Sequence, residues 1–291
     1  MKKIMAFLTV ILVFGAVIFA LIKFRDIAEV YIETEQAPEP QAEAQAPPVA
    51  QTDYIDELLE KHGDLLSVYY ENLETGFTYR YNADRLYFSA SVPKAFYALY
   101  VYLLAEQGLA DLDTLHEFTE IDTNWGSGII QKNYDYGAQF TLRELLRLKI
   151  SESDNVATLM LVRLFGIASY ADFVKESGGN PRLIGDRVMN SELSANEAGL
   201  FARKIYEYIE SDADFADLFK ASLLDNQHSF ISSAYPIASK TGWTEPRAWH
   251  EMAIVYAPSP FTLVILSERE GWTEQDYADF AEILGVFEGF N

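Results

Sequence analysis

The chain begins with an uninterrupted apolar segment. Residues 4–22 carry no charge and are flanked by lysines. Nineteen residues in a helix span about 28 Å, close to the thickness of the hydrocarbon core of a bilayer. The segment is longer than the core of a typical signal peptide, and it does not end in a small-x-small cleavage sequence. It therefore predicts an uncleaved transmembrane signal anchor at residues 1–25, with a cleaved signal peptide as the alternative.

A polar segment without helical or strand periodicity follows. Residues 33–52 are rich in Pro, Ala, Gln and Glu, with Val49 as their single large apolar side chain. Such a segment cannot bury enough apolar surface to fold alone. We therefore predict a Pro/Ala/Glu-rich linker at residues 26–52 and one folded domain at 53–291. The anchor then makes this a single-pass protein of the cell membrane, and we expect the folded domain on the extracytoplasmic side.

Alternating and helical patterns fill the rest of the chain. Two β-rich runs, 67–71 and 77–81, flank a Glu-Thr-Gly turn and predict a hairpin. Helices and further strands follow from apolar spacing, capping residues and glycine stops. The predicted helices are 93–107, 141–149, 156–165, 194–209 and 272–286, and the predicted strands are 237–240, 251–256 and 261–267. Strands at both ends and helices between them indicate an α/β (α+β) domain with one antiparallel sheet covered by helices.

Composition narrows the possible chemistry. The net charge of −22 opposes binding to a phosphate backbone, so we expect no nucleic-acid partner. The absence of cysteine excludes disulfides, thiolate metal sites and a cysteine nucleophile. The four histidines are scattered without metal-ligand spacing. We therefore predict neither a metal site nor a cofactor.

Three short motifs occur in order, each at the boundary of a predicted element: Ser91-Val92-Pro93-Lys94, Ser153-Asp154-Asn155 and Lys240-Thr241-Gly242. The first pattern, Ser-x-x-Lys, is expected about once by chance in a chain of this length. Each exact triplet is expected far less often. The informative observation is the combination of all three in this order.

The first motif suits an activated serine. Residues three apart share one face of a helix, so Lys94 can reach the hydroxyl of Ser91 and act as its base. Pro93 fits the first helical turn, and free N–H groups at a helix start favour developing negative charge. Neighbouring aromatic residues would desolvate Lys94 and lower its pKa. Taken alone, the motif is also what a capping serine beside a solvated lysine would look like.

The other two motifs could supply the remaining parts of the site. Ser153 could pass a proton toward a leaving group, and Asn155 could position Lys94 or a substrate amide. Lys240 would supply a positive field, Thr241 would bind a substrate carboxylate, and Gly242 would allow close approach of the backbone. The alternatives are an ordinary helix cap for the second motif and a solvated strand end for the third.

Together these motifs resemble those of the class A β-lactamases and the related penicillin-binding proteins and DD-peptidases. The resemblance also includes the pattern at 127–131 and covers essentially residues 53–291. It implies a β-lactamase/transpeptidase-like fold, with a five-stranded antiparallel sheet flanked by helices and an all-helical lobe. It also implies an oxyanion hole formed by the backbone N–H groups of Ser91 and Trp243.

The sequence departs from class A enzymes in two places. The family's E-x-x-L-N signature, whose glutamate activates the deacylating water, does not occur between residues 166 and 194. Glu192 is a weak substitute; the alternative is that it complements the charge at a helix start. The family arginine that binds the substrate carboxylate is also not obvious. His250 falls near its position, and Arg247 is the better candidate because a guanidinium can bind a carboxylate bidentately.

The sequence therefore predicts a membrane-anchored serine hydrolase that forms an acyl-enzyme at Ser91. Its small-molecule partner would be a β-lactam or a cell-wall peptide, and deacylation would be slow. Two alternatives stay open. One is a DD-peptidase-like enzyme acting on cell-wall stem peptides, and the other is a penicillin-binding or sensor module that is acylated without turnover.

Overall fold

The computed structural model describes residues 49–184, 191–245, 247–269, 271 and 273–290. The predicted membrane anchor at 1–25 and most of the predicted linker lie outside these residues. Among the described helices, none has by itself the length and hydropathy to cross a membrane. Only the bent pair Asn155–Phe165 and Ala168–Glu176 passes, by length and composition alone.

The described residues contain strands of two to eight residues. They are β1 (Leu66–Asn72), β2 (Thr78–Tyr81), β3 (Tyr87–Phe88), β4 (Leu115–Glu117), β5 (Gln139–Thr141), β6 (Glu192–Leu193), β7 (Ile237–Thr244), β8 (Ala248–Val255) and β9 (Phe261–Ser267). Five of them form one antiparallel sheet in the order β2-β1-β9-β8-β7. The predicted five-stranded sheet and its first hairpin are therefore confirmed. The pairs β3–β6 and β4–β5 were not predicted, because two- and three-residue strands leave no periodic pattern.

The helices agree with most of the predicted ones. They are α1 (Val49–Glu60), α2 (Pro93–Glu106), α3 (Ile130–Asn133), α4 (Leu142–Ser151), α5 (Asn155–Phe165), α6 (Ala168–Glu176), α7 (Ala195–Ile209), α8 (Ala216–Leu224) and α9 (Glu274–Glu288). The predicted capping boxes are present at Thr141 and Ser194, which begin α4 and α7. Helices α1, α3, α6 and α8 were not predicted. Helix α1 begins at Val49, ahead of the predicted domain start at residue 53.

Helices cover both faces of the sheet. On one face, α1 and α9 bury an apolar cluster that includes Val68, Tyr70 and Ile265. On the other face, buried side chains of α2, α4, α5 and α7 share a second cluster with Val264 and Leu266. Alternate residues of a strand point to opposite faces, so a strand covered on both sides is apolar throughout. Helices α2, α4, α5 and α7 thus share one core with the sheet.

Candidate active site

Ser91 lies in the turn before α2, at one wall of a cleft of about 740 Å³. Pro93 occupies the start of the helix, as its lack of an N–H permits. Ala90, just before Ser91, has a φ of 45°, a left-handed conformation that a side chain disfavours. The β3–β6 pair holds this segment, because the Ser89 N–H donates to the Ser191 carbonyl at 2.9 Å. Tertiary contacts therefore fix the backbone conformation of the residues just before Ser91.

Lys94 follows Ser91 by one helical turn and is fully buried. Its Nζ donates to the carbonyl of Ser153, to the Ser153 hydroxyl at 3.3 Å and to Asn155 Oδ1 at 2.7 Å. Burial is the largest cause that lowers the pKa of Lys94 well below its usual value, followed by the nearby Lys240 and Lys149. Asp154 opposes this shift. A neutral Lys94 has two N–H groups, so it keeps at most two of these three donated bonds, and its lone pair could accept the proton of a neighbouring hydroxyl.

Ser153 lies at the point where the three motifs meet. Its hydroxyl accepts hydrogen bonds from Lys94 and, at 3.0 Å, from Lys240. The Ser153 backbone also adopts a left-handed conformation, with a φ of 52°. Of the three non-glycine residues with positive φ among those described, two therefore adjoin or belong to this site. A strained backbone at such positions is typical of a functional site.

Asp154 fixes the loop that forms the opposite wall of the cleft. One carboxylate oxygen accepts the N–H groups of Ile129 at 2.7 Å and Ile130 at 2.9 Å, and the other caps α5. Gly128, with a φ of 114°, permits this contact, since a Cβ there would lie 2.3 Å from the Asp154 carboxyl carbon. The second motif therefore anchors a wall of the cleft in addition to lining it.

The third motif runs along β7, the edge strand of the sheet. Lys240 is fully buried, and burial lowers its pKa to about 7. A Cβ on Gly242 would lie 3.0 Å from the Ser89 carbonyl oxygen and 3.1 Å from the Ser91 nitrogen. Only glycine therefore lets β7 pass this close to Ser91. The next residue, Trp243, is 45% exposed and lines the cleft.

Of the two residues predicted to bind a substrate carboxylate, Thr241 is buried and Arg247 is exposed. The Thr241 side chain is buried, and its hydroxyl lies 3.0 Å from the His228 carbonyl oxygen and 3.2 Å from Glu251. Its single proton is thus engaged within the protein. Arg247 is exposed in the turn between β7 and β8, outside the residues that line the cleft. The carboxylate-binding roles assigned to both residues stay predictions.

His250, near the family's arginine position, lies in the interior instead. Its Nδ1 accepts the Ser267 N–H at 3.1 Å, so Nε2 carries the proton and donates to the Phe88 carbonyl at 2.7 Å. Burial lowers the pKa of His250 to about 4. The side chain is therefore neutral and links β8 to the end of β3, just ahead of Ser91. It supports the site without facing the cleft.

Several residues of the site escaped the sequence analysis. Ser127 donates to the Ser153 carbonyl at 2.8 Å; the matching pattern at 127–131 was a signal that could have identified it. Trp125 is 85% exposed in the cleft. His228 lines the cleft too, and burial lowers its pKa. Lys149 and Glu251 are fully buried. No local sequence pattern distinguishes Trp125, His228, Lys149 and Glu251 from ordinary core or surface residues.

The arrangement can carry out acyl transfer at a serine. Ser91, Ser153, Asn155 and Trp243 face one cleft, while Lys94 and Lys240 converge on Ser153 from behind it. Two carboxylates, Glu152 and Glu245, line the cleft, whereas Glu192 is exposed in β6 and does not. Among the described residues, no group of acidic or histidine side chains is placed to hold a metal ion.

Comparison with known proteins gives a consistent result. The model of a family described as "Beta-lactamase enzyme family" matches residues 50–284. A β-lactamase from Chitinophaga pinensis superimposes with a TM-score of 0.72 at 19% identity, over 82% of this chain and 98% of that one. The protein PBP-A gives a TM-score of 0.74 at 17% identity, over 84% and 98%. A mutant of PBP-A, solved as an acyl-enzyme complex with penicillin G, gives 0.71 at 18% identity, over 84% and 96%. No curated protein sequence matches the chain.

Proposed function

The chain belongs to the β-lactamase enzyme family, and we propose that it is a serine hydrolase that forms an acyl-enzyme at Ser91 with a β-lactam or a cell-wall peptide. One observation carries this proposal: the Ser153 hydroxyl accepts hydrogen bonds from both Lys94 and Lys240. The candidate proton donor, Ser153, is thereby linked to the candidate base, Lys94, and to the charge of Lys240. The penicillin G complex of the PBP-A mutant supports a β-lactam as the first substrate to test.

The proposed acylation uses Ser91 and Ser153, which line the cleft, and the two lysines that donate to Ser153. Neutral Lys94 removes the Ser91 proton as Oγ attacks the substrate carbonyl. The backbone N–H groups of Ser91 and Trp243 stabilise the oxyanion, which the close approach of β7 at Gly242 permits. Ser153 then gives its proton to the leaving nitrogen and takes up, through its hydrogen bond to Lys94, the proton that Lys94 removed from Ser91. The charge of protonated Lys240 favours that transfer and attracts a substrate carboxylate.

Mass spectrometry of the full-length protein with a fluorescent penicillin tests this proposal. We expect one adduct per chain, mapped to the peptide that contains Ser91 and abolished in Ser91→Ala. Ser232→Ala, at an exposed serine away from the cleft, is the matched control and should be labelled normally. An adduct mapped to any other residue, or labelling that persists in Ser91→Ala, would contradict the proposal.

A DD-peptidase-like enzyme is the second candidate. The missing E-x-x-L-N signature favours it, because a cell-wall enzyme does not need rapid hydrolysis of β-lactam esters. Release of D-alanine from a peptide ending in D-Ala-D-Ala, lost in Ser91→Ala, would support this candidate. Acylation by penicillin with neither peptide cleavage nor β-lactam turnover would point to the binding or sensor module.

The membrane location is also a proposal, and residues 4–22 support it through their length and lack of charge. We propose a single-pass anchor with the catalytic domain outside the cytoplasm. The full-length protein should then stay with membranes through an alkaline wash, while external protease removes the domain from intact spheroplasts. Recovery of the full-length protein in the soluble fraction would contradict this.

A further inference from the structure

Ser127 carries a hydroxyl that the proposed reaction does not use. It belongs to the loop before α3 and lines the cleft together with Ser91 and Ser153. Its Oγ donates to the Ser153 carbonyl at 2.8 Å and lies 3.4 Å from Asn155 Oδ1. In return, the Asn155 N–H donates to the Ser127 carbonyl at 3.1 Å. These contacts fix Ser127 against the second motif and direct its hydroxyl toward Ser153 and Asn155.

The same two residues accept hydrogen bonds from Lys94. Its Nζ donates to the Ser153 carbonyl, to the Ser153 hydroxyl and to Asn155 Oδ1. An ammonium group has three protons and can make all three bonds, whereas a neutral amine has only two protons to donate. One of the three acceptors must therefore lose its bond from Lys94 whenever this lysine becomes a base. An acceptor left without a donor away from water would oppose that change.

Each of these three acceptors has a second donor. Lys240 donates to the Ser153 hydroxyl at 3.0 Å. The other two acceptors, the Ser153 carbonyl and Asn155 Oδ1, are the ones that the Ser127 hydroxyl reaches. The Asn155 amide is held in this orientation because its Nδ2 donates to Asn124 at 3.0 Å. Lys94 can thus become neutral without leaving any of its acceptors unpaired, and Ser127 is the second donor for two of them.

We propose that Ser127 is a positioning residue whose hydroxyl takes over an acceptor of Lys94 when that lysine loses a proton, and so favours the neutral form that activates Ser91. This inference rests on the proposed function, because it concerns the same base. It adds a residue outside the three motifs that acts only through Lys94. Among the described residues, none of the charged groups that act on Lys94 bonds to Ser127; they are Lys149 of α4, Lys240 of β7, His228 and Asp154. A substitution of Ser127 therefore changes the hydrogen bonds of the site and leaves its charges unchanged.

The pH dependence of acylation tests the inference in the full-length protein with the fluorescent penicillin. The activity that needs neutral Lys94 is present above the pKa of Lys94 and is lost as the pH falls through it. Ser127→Ala removes the second donor and should raise that pKa, because the neutral lysine then leaves an acceptor unpaired. The acidic limb of the profile, where the rate falls with decreasing pH, should move up by about one pH unit. At a pH on this limb, the rate relative to its maximum should fall about tenfold.

A matched pair of variants separates the hydroxyl from its packing. Threonine and valine have nearly the same shape and differ in the hydroxyl. Ser127→Thr should therefore keep the acidic limb near that of the wild type, and Ser127→Val should shift it as Ser127→Ala does. A uniformly lower rate in Ser127→Ala and Ser127→Val, with an unshifted acidic limb, would overturn the inference.

Ser211→Ala is the control for the loss of a serine hydroxyl. The Ser211 hydroxyl donates to the Tyr208 carbonyl at 2.7 Å, and neither residue lines the cleft. This variant loses the same kind of hydrogen bond as Ser127→Ala, and its acidic limb should coincide with that of the wild type. An equal shift in Ser211→Ala would also overturn the inference, because the shift would then not depend on contact with the acceptors of Lys94.

A direct titration keeps this test independent of activity. In protein labelled with ¹³C-lysine, the side-chain resonance of Lys94 can be assigned by its loss in Lys94→Met. Its midpoint should be higher in Ser127→Ala than in the wild type, and an unchanged midpoint would overturn the inference. Failure of penicillin to label Ser91 would contradict the proposed function alone, because this titration requires no substrate.

Discussion

The Nζ of Lys240 donates a hydrogen bond of 3.0 Å to the hydroxyl of Ser153, although 87 positions separate the two residues along the chain. Since Lys94 contacts the same hydroxyl at 3.3 Å, protonation of either lysine changes the environment of the other. The pair should therefore titrate with macroscopic pKa values that belong to both groups. This coupling determines the first of the following predictions.

Acylation of Ser91 should have a bell-shaped pH profile. Lys94 must be neutral to act as a base, so the rate should rise as the pH increases through its lowered pKa. Lys240 must be protonated, so the rate should fall again as the pH passes about 7. Stopped-flow measurement of penicillin acylation between pH 5 and 9 checks both limbs. An acylation rate that does not fall at any acidic pH at which the protein stays folded would argue for a base other than Lys94.

Gly242→Ala should impair acylation strongly. The new Cβ would lie 2.9 Å from a Val92 methyl group and about as close to the backbone around Ser91, so β7 must move away. Loss of one oxyanion donor typically costs about 10²–10³-fold in rate. We expect the acylation rate to fall by about that factor, while the pH values at which the rate rises and falls stay unchanged. Gly285→Ala is the matched control, because a Cβ added at this helical position would meet no neighbouring atom within 4 Å. This variant should be acylated normally. Equal rates in the two variants would refute the proposed close approach.

Asp154→Asn should destabilise the domain. The substitution replaces a carboxylate that accepts three backbone N–H groups, and an amide cannot accept all three equally well. We expect the free energy of unfolding to fall by about 1–3 kcal/mol, with weaker penicillin binding as the loop at 126–130 loosens. Urea denaturation measures the first effect. Asp212→Asn, on an exposed loop, should change neither property; a comparable loss there would mean that the effect is not local.

The acyl-enzyme should form quickly and hydrolyse slowly. Glu192, the substitute considered from the sequence, is exposed and outside the cleft, and a missing general base typically costs about 10²–10⁴-fold in rate. A chromogenic β-lactam should therefore give a burst near one equivalent, followed by a slow steady state. Rapid turnover without a burst would count against this prediction. If such turnover collapsed in Glu192→Gln, that glutamate would be the deacylation base.

The sequence by itself determined the sheet strands, most helices and their caps, because those features depend on neighbours within one or two turns. A continuous run of apolar residues revealed β9, and Thr141 with Glu144 revealed the start of α4. Three motifs in order also identified the family, although they are far apart along the chain. The short strands β3 and β6 could not be predicted, since each is stabilised by its partner rather than by its own residues.

Only the tertiary structure decided which groups act on one another. The sequence contains Lys149 and Glu251 without any sign that they are special, and the fold buries both completely. It likewise turns the Thr241 hydroxyl toward Glu251 and places His250 in the interior. Burial and charge–charge interactions depend on distances in space between residues remote in the chain. The pKa values that govern this site are therefore properties of the folded protein, and no local sequence pattern encodes them.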